Sequence, residues 1–427
     1  MIRPIFLALA LLLSGCTSPA YLWSQADRRY TAVKIKDWET GNGSPRTIRV
    51  LLVHGMGNHP FGSDGKTGPQ LFQQNTYRDL QKWLKENQHD KEKMKAVRAA
   101  AEESSWPEFI RNSSKELGHA KDTHADPGFE LVSDSHSNPI GYVFTQSYKA
   151  NGNGVQLKFY IANWGLGTAV RKERRFGSWN SLTGGANRID GDVSDFDPEL
   201  NAQRVWGNKK LKLETMDWGL GDAALYMSKT PSLAKPVTVA LQQLLKDSGP
   251  NDRIAVVTHS LGSTITLDAL VPFLEQPEAR PSKVVPGRVV EGKLASLAQP
   301  TEGPRDVKPS GLAFYMFANQ YGLLTMGMPQ SLEKLNKALA TSDVAKEKAA
   351  VQLYAYTDPN DLLSYPINLN DSHKTSISVC NVYVKNRTLS LGIFVDPLGA
   401  HVNYESNPHV LQTMLNSPDK VRLPDSP

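Results

Sequence analysis

The residues from Arg253 to Leu270 constrain the fold of this chain more than any other stretch. Ile254 to Val257 is a short, β-branched apolar run typical of a buried strand, and from Ile265 onward the apolar residues recur at helical spacing. The turn between them reads Thr258-His259-Ser260-Leu261-Gly262. A serine in such a strand-to-helix turn is held in a strained backbone conformation that lifts its hydroxyl above the sheet edge. The same pattern also fits a plain turn in which the serine only caps the helix.

A second glycine-containing turn follows an earlier strand. The apolar run Ile48 to Val53 predicts a strand, and the chain continues as His54-Gly55-Met56-Gly57-Asn58-His59-Pro60. Glycines at these positions let the main chain approach a bound molecule without a Cβ in the way. An ordinary glycine loop after a strand is the alternative interpretation.

Two acidic residues follow a later strand. Val351 to Tyr356 predicts a buried strand, and Asp358 and Asp361 come directly after it. A carboxylate just past the end of a strand is well placed to orient a histidine from a neighbouring loop. An Asp-Pro pair can equally cap a turn, as could either acid, so both residues stay open as candidates.

Three histidines follow Asp361 in the chain. His373 precedes the last predicted strand, Ile377 to Val384, whereas His409 lies in a closing helix that Asn407 caps and Pro408 begins. His401 remains, in the loop beyond the last strand, from which it can return to the top of the sheet. A surface histidine without a role is the alternative.

The order Ser260, then Asp361, then His401 resembles the α/β-hydrolase family, in which nucleophile, acid and histidine come in this order, each after a strand. The resemblance runs from about Ile48 to Leu415, with Thr258 where the family pattern has its first glycine. It implies an α/β fold in which helices flank a mostly parallel central sheet with cap or lid insertions. One of the helices that flank the sheet is expected just before the strand that leads to Ser260. Its buried face would be formed by Val237, Ala240, Leu241, Leu244 and Leu245.

The resemblance also implies a role for each matching residue. Ser260 would be the nucleophile, His401 its base and Asp361 the orienting acid, for which Asp358 is the alternative. The backbone N–H groups of Met56 and Leu261 would form an oxyanion hole, supported by loop residues His54, Gly55, Gly57, His259 and Gly262. The expected activity is hydrolysis of carboxylic esters, including lipids, without a cofactor or metal. The alternative is an inactive member of the fold that acts as a membrane-tethered binding or assembly protein.

The N-terminus resembles a bacterial lipoprotein signal. A basic residue, the apolar run Ile5 to Leu13 and the sequence Leu13-Ser14-Gly15-Cys16 follow one another, and the run is too short to span a bilayer. The resemblance implies cleavage before Cys16, acyl chains carried by Cys16 as a membrane anchor, and a cell-envelope location, with Thr17 favouring the outer membrane facing the periplasm. The expected organisation is a signal peptide over 1–15, a polar tether over 16–46 and a hydrolase domain over 47–427, with a cap insertion at about 166–236 and a rim loop at about 275–310.

Composition excludes several other classes. With 427 residues, 40% hydrophobic and 21% charged, the chain is long enough to bury a large core. The formal net charge of +5 is spread without a basic run, so no nucleic-acid partner is expected. His119 and His124 lack the spacing of a metal site, and Cys380 in a strand-like run is expected to be a buried apolar side chain.

Overall fold

The β-branched and aromatic runs of the chain form strands, and eleven of these strands hydrogen-bond into one sheet. The computed structural model describes residues 15–27, 30, 32–38, 47–57, 60–61, 68–104, 106–122, 125, 127–150, 155–176, 219–228, 231–249, 252–275, 312–324, 351–368, 377–386, 388–390 and 397–422. Its strands are β1 (Gly15–Thr17), β2 (Ala20–Ala26), β3 (Thr47–Val53), β4 (His119–Lys121), β5 (Phe129–Ser133), β6 (Pro139–Ala150), β7 (Gln156–Asn163), β8 (Arg253–His259), β9 (Leu312–Phe317), β10 (Val351–Thr357), β11 (Ile377–Lys385), β12 (Thr388–Ser390) and β13 (Val421–Arg422).

Helices flank the sheet on both faces. They are α1 (Gly68–Leu71), α2 (Tyr77–Asn87), α3 (Lys91–Ser104), α4 (Pro107–Glu116), α5 (Gly165–Phe176), α6 (Gly221–Met227), α7 (Lys235–Asp247), α8 (Leu261–Glu275), α9 (Tyr321–Leu324), α10 (Pro397–Val402) and α11 (Pro408–Asn416), with 3₁₀ turns at Ile35–Trp38 and Pro231–Ala234. Asn407 caps α11 as expected, because its side chain accepts a hydrogen bond from the backbone N–H of His409. The five residues expected on the buried face of α7 are buried.

The sheet is α/β in kind but mixed in direction. Its order is β13-β2-β11-β10-β9-β8-β3-β7-β6-β4, with β5 beside β6. Strands from β11 to β7 in this order run parallel, whereas β2 with β11, and β6 with β4, β5 and β7, pair antiparallel. The prediction of a mostly parallel sheet was therefore wrong. The connections between β5, β6 and β7 are short, and short connections join antiparallel neighbours, since a parallel pair needs a long crossover.

The segment expected to be a polar tether contributes to the domain. Ala20–Ala26 is a strand between β11 and β13, and Val33, Ile35 and Trp38 are buried in the core. For the described residues of the segment, the prediction of a spacer is corrected. Its aromatic and apolar side chains are spaced too irregularly to mark a strand in the sequence, and only pairing with β11 gives them a buried surface.

The core lies in two layers, one on each face of the sheet. Along β3 the side chains alternate between them: Ile48, Val50 and Leu52 belong to one apolar cluster, and Leu51 and Val53 to the other. Because the parallel strands β3, β8, β10 and β11 end at one edge, the loops that follow them meet there. This edge carries the candidate site.

Several expected features lie outside the described residues. These are 1–14 of the signal peptide, 177–218 of the cap, 276–310 of the rim loop, and the metal candidate His124. Of the expected cap, helices α5 and α6 are described. Within the described part of the chain, no helix combines the length and apolar character needed to cross a membrane.

Candidate active site

Ser260 occupies the sharp turn between β8 and α8. Its φ is +54°, a left-handed conformation that costs a residue with a Cβ about 1 kcal/mol or more. Its backbone N–H donates to the carbonyl of Phe317 at 2.8 Å, at the end of the neighbouring strand β9. The strain and the cross-strand hydrogen bond together hold the serine in the position expected for a nucleophile.

Two glycines allow the loop after β3 to approach this turn. A Cβ on Gly262 would lie 2.4 Å from the carbonyl oxygen of His54, which is backbone and cannot rotate away. A Cβ on Gly55 would lie 2.7 Å from the Cβ of Ser260. The glycine-containing loop is therefore packed against the serine turn, and both positions require glycine for steric reasons.

Thr258 fits the position where the family pattern has glycine. Its side chain is buried, and its hydroxyl is hydrogen-bonded to the hydroxyl of Ser263 on the first turn of α8 at 2.8 Å. Each hydroxyl therefore has a partner, and this hydrogen bond offsets the cost of burying the polar oxygen that threonine introduces. The threonine links the nucleophile strand to the helix and leaves the turn intact.

The three residues expected to form a triad lie in one hydrogen-bonded chain. Nε2 of His401 is 2.9 Å from Oγ of Ser260, and Nδ1 of His401 is 2.9 Å and 3.0 Å from the two carboxylate oxygens of Asp361. His401 lies on the short helix α10, and Asp361 lies in the turn after β10. The carboxylate orients the imidazole, and the imidazole can accept the serine proton.

The two acidic candidates have different partners. Asp358 is fully buried, and its carboxylate accepts hydrogen bonds from the backbone N–H groups of Asn360 at 2.9 Å and Asn386 at 2.6 Å. These contacts make it a turn cap that ties the loop after β10 to the end of β11. Asp361 is the acid that contacts His401.

Tyr404 connects the two acids. Its hydroxyl donates to a carboxylate oxygen of Asp361 at 3.2 Å and accepts from the backbone N–H of Asp358 at 2.5 Å. Burial raises the pKa of Tyr404 well above its ordinary value, so the hydroxyl keeps the proton that it donates. No motif in the sequence singled out this residue.

Asn386 holds the helix that carries His401. Its side-chain amide donates to the carbonyl of Ala400 at 2.6 Å, and its amide oxygen accepts from Asn407 at 2.9 Å. All three residues are buried. The residue before the histidine is thus attached to the end of β11, which limits the freedom of His401 to swing away from Ser260.

A second histidine, His259, contacts the main chain of the first. Its Nε2–H donates to the carbonyl of His401 at 2.9 Å, and the two ring centroids are 5.4 Å apart. The pKa of His259 is lowered to about 4. The largest cause of this lower pKa is burial, and the next is the nearby positive charge that His401 can carry. Near neutral pH His259 is an uncharged donor, so it supports the main chain of His401 without adding a positive charge beside its ring.

Because His259 has a depressed pKa, it should make stability depend on pH. The unfolded chain binds a proton near pH 6.5 and the folded chain only near 4, so stability falls as the pH drops from about 6.5 to 4. The full loss is about 3 kcal/mol. Urea unfolding from pH 7 to pH 4 should show wild type losing this much relative to His259→Gln, whose amide can still donate to His401. A difference that does not change with pH would contradict the assignment.

The candidate oxyanion donors lie on either side of the serine. Leu261 is the first residue of α8, where backbone N–H groups have no acceptor within the helix. Met56 lies in the turn after β3, between the glycine that contacts Ser260 and the positive-φ Gly57. The arrangement places two backbone segments beside the serine, as an oxyanion hole requires.

The site is closed in this structure. Ser260 is 0% exposed, Asp361 5% and His401 6%. Burial strengthens the hydrogen bonds of the triad, since little water competes for them.

Within the ranges that the structure describes, no group of three or more histidine, cysteine or acidic side chains is arranged to hold a metal ion. Cys380 is buried and has no disulfide, and burial raises the pKa of its thiol.

Comparisons of the chain with protein-family models, with curated proteins and with solved structures gave no match.

Proposed function

We propose that this protein is a serine hydrolase of carboxylic esters with the α/β-hydrolase fold. The observation that carries the proposal is the hydrogen-bonded chain from Ser260 Oγ through His401 to the Asp361 carboxylate, with 2.9 Å at each step. It is supported by the strained backbone of Ser260 and by the parallel strands that deliver each residue to one sheet edge. These features together match the requirements of nucleophilic acyl transfer.

In the proposed reaction, Ser260 Oγ attacks the acyl carbon while its proton passes to Nε2 of His401. The carbonyl oxygen becomes an oxyanion, which the N–H groups of Met56 and Leu261 stabilise by roughly 3 kcal/mol each. His401 then gives the proton to the departing alkoxide, and the alcohol leaves. Water attacks the acyl-enzyme by the same route, with His401 as base, and releases the carboxylic acid and free Ser260.

A fluorophosphonate probe tests this proposal directly. Its phosphoryl oxygen mimics the oxyanion, so rapid labelling requires a nucleophilic hydroxyl, a base and the donors together. We expect stoichiometric labelling of the peptide that contains Ser260, loss of labelling after unfolding in urea, and hydrolysis of a short p-nitrophenyl ester. A folded protein that stays unlabelled and is inert toward short and long acyl esters would refute the proposal.

One observation favours a second candidate, a tethered binding protein of this fold without turnover. Ser260 is 0% exposed, and a protein without turnover has no need to make this serine accessible. The labelling experiment separates the two candidates because a permanently closed site does not react with the probe. The intact hydrogen bonding of all three triad residues favours the enzyme, since a protein without turnover has no need to keep them.

Exposed apolar side chains next to the triad support an apolar ester as substrate. Leu362 directly follows Asp361 and is 69% exposed, and Val402 directly follows His401 and is 51% exposed. We expect the double substitution Leu362→Ser with Val402→Ser to lower kcat/KM for a long-chain acyl ester roughly 30-fold, since two lost apolar contacts at about 1 kcal/mol each cost about 2 kcal/mol in total. A short acetyl ester should be hydrolysed at nearly the wild-type rate. Equal losses on both esters would contradict an apolar contact.

We further propose that the protein is anchored to the cell envelope by acylation of Cys16, with its body facing the periplasm. The support is the apolar run that ends in Leu13-Ser14-Gly15-Cys16. Mass spectrometry of the mature N-terminus should find an acylated Cys16 in wild type, and Cys16→Ser should leave the signal unprocessed. An unmodified N-terminus well beyond residue 16 would refute the anchor.

A further inference from the structure

The candidate oxyanion donor Met56 lies between two peptide groups that are each held by a buried side chain. On one side, Nδ1 of His54 lies 2.8 Å from the carbonyl oxygen of Gly55. On the other, the N–H of Gly57 donates to a carboxylate oxygen of Asp222 at 2.7 Å. Neither His54 nor Asp222 belongs to the triad.

The hydrogen bond from His54 determines where the Met56 N–H points. In a trans peptide the C=O and the N–H point in opposite directions from one plane. Among the described residues every peptide is trans, so fixing the Gly55 carbonyl also fixes the N–H of Met56 on the other side of the same peptide. A hydrogen bond accepted by that carbonyl also polarises the peptide and makes its N–H a stronger donor.

The tautomer of His54 suits this task. The backbone N–H of Trp164 donates to Nε2 of His54 at 3.2 Å, so the proton of the neutral ring is at Nδ1, which faces Gly55. The indole ring stacks on the imidazole at 5.0 Å, and its N–H donates to the His54 carbonyl at 3.0 Å. Burial lowers the pKa of His54 to about 4, which keeps the ring neutral near pH 7.

Asp222 is held in turn by a buried cation. Nζ of Lys172, on α5, is 2.7 Å from the other carboxylate oxygen of Asp222, and the two side chains are 1% and 2% exposed. Isolated charges at this depth would be costly, but each compensates the other. The pair therefore connects α5, α6 and the turn after β3 at Gly57, whose φ of +71° requires a glycine.

We propose that His54 and the Lys172–Asp222 ion pair are positioning residues that hold the Met56 N–H toward the oxygen of the acyl group. They act through the peptides on either side of Met56 and do not touch the substrate. The inference rests on the proposed ester hydrolysis. It adds the residues that determine the geometry of the oxyanion hole.

Matched substitutions separate the donor function of His54 from its packing. Asparagine places its amide nitrogen near the position of Nδ1, so His54→Asn can still donate to Gly55. Glutamine reaches the position of Nε2, so His54→Gln can still accept from Trp164 but loses the donor to Gly55.

The second peptide is tested with two double variants. Lys172→Met combined with Asp222→Asn keeps an acceptor for Gly57, whereas Lys172→Met combined with Asp222→Leu removes it. Neither pair leaves a buried unpaired charge. The control is Glu173→Gln, which changes a buried carboxyl on the same helix that accepts from the backbone N–H of Arg78.

The readout is the ratio of kcat for a p-nitrophenyl acyl ester to kcat for its thionoester, together with thermal unfolding of each variant. Sulfur accepts hydrogen bonds poorly, so weakening the oxyanion hole slows the ester far more than the thionoester. We expect His54→Gln and the Asp222→Leu pair to lower ester kcat roughly 10- to 100-fold, with a lower ratio, because small displacements of a positioned group cost up to about 100-fold. His54→Asn, the Asp222→Asn pair and Glu173→Gln should keep the wild-type ratio.

Two results would overturn the inference alone, and a third would overturn it together with the proposed function. One is an unchanged ratio in His54→Gln and in the Asp222→Leu pair while wild type hydrolyses the ester, since the proposed function would then stand without this positioning. The other is a ratio that falls equally in His54→Asn and His54→Gln, which would indicate packing. A wild type that is inert toward both substrates and unlabelled by the fluorophosphonate would overturn the proposed function and this inference together.

Discussion

Alanine at Ser260 is expected to lower kcat for a short p-nitrophenyl ester by roughly 10⁶-fold, to the residual rate that the oxyanion hole alone supports. In the proposed reaction Oγ of this hydroxyl forms the acyl bond, and its partner 2.9 Å away is Nε2 of His401. His401→Ala should cost about as much, because the serine then keeps its proton. Since the two residues act as one unit, the double variant should be no slower than either single variant.

His409→Ala is the control for these measurements. His409 lies on α11, and its backbone is engaged by the Asn407 cap, while its ring is outside the triad. Its substitution should leave kcat within about twofold of wild type, as expected for a partly exposed residue away from the site. Steady-state kinetics on purified, folded variants would measure all four. Losses for Ser260→Ala and His401→Ala that multiply in the double variant would count against a shared catalytic unit.

The second large effect is expected at the triad acid, where Asp361→Asn should lower kcat roughly 10⁴-fold. Both carboxylate oxygens accept from Nδ1 of His401, which leaves Nε2 free to accept the serine proton. An amide nitrogen facing Nδ1 would favour the tautomer with its proton on Nε2, directed at Ser260. The fold should be retained because the substitution has the same shape.

Asp358→Asn is the matched comparison, since Asp358 is buried in the same turn. Its carboxylate accepts from Asn360 and Asn386, whereas the imidazole of His401 donates to Asp361. The variant should therefore lose stability, by about 1–3 kcal/mol for an unsatisfied buried group, with a much smaller effect on kcat. If Asp358→Asn proved the slower enzyme, the role of the triad acid would pass to Asp358.

The elements that carry the site could be predicted because their sequence signals are local. The β-branched run before Ser260, the apolar face of α7 and the cap of α11 each depend on a few neighbouring residues. The choice between Asp358 and Asp361 could not be made in the same way. Both acids lie in one turn, and only the position of His401, 40 residues from Asp361, distinguishes them.

Other features depend on contacts between distant parts of the chain. Lys172 stands among other basic residues in the sequence, yet it is buried because Asp222 compensates its charge. The antiparallel pairing of β2 with β11 depends on a contact between distant parts of the chain in the same way. Whether β2 is a spacer or a strand depends on β11, which lies more than 350 residues later in the chain.

The position of β2 has a consequence for how the protein is made. Asp27, at the end of this strand, accepts hydrogen bonds from Ser378 Oγ at 2.7 Å and the Val379 N–H at 2.9 Å, so the first strand of the sheet pairs with nearly the last. A chain emerges from the ribosome N-terminus first, and closing a loop of this length is slow. We therefore expect β2 to stay unpaired until almost all of the chain has been synthesised, and pulse-labelled hydrogen exchange should find its amides among the last protected. Since β2 docks on β11, the strand that leads to His401, this edge of the sheet is completed only after β11 has been synthesised.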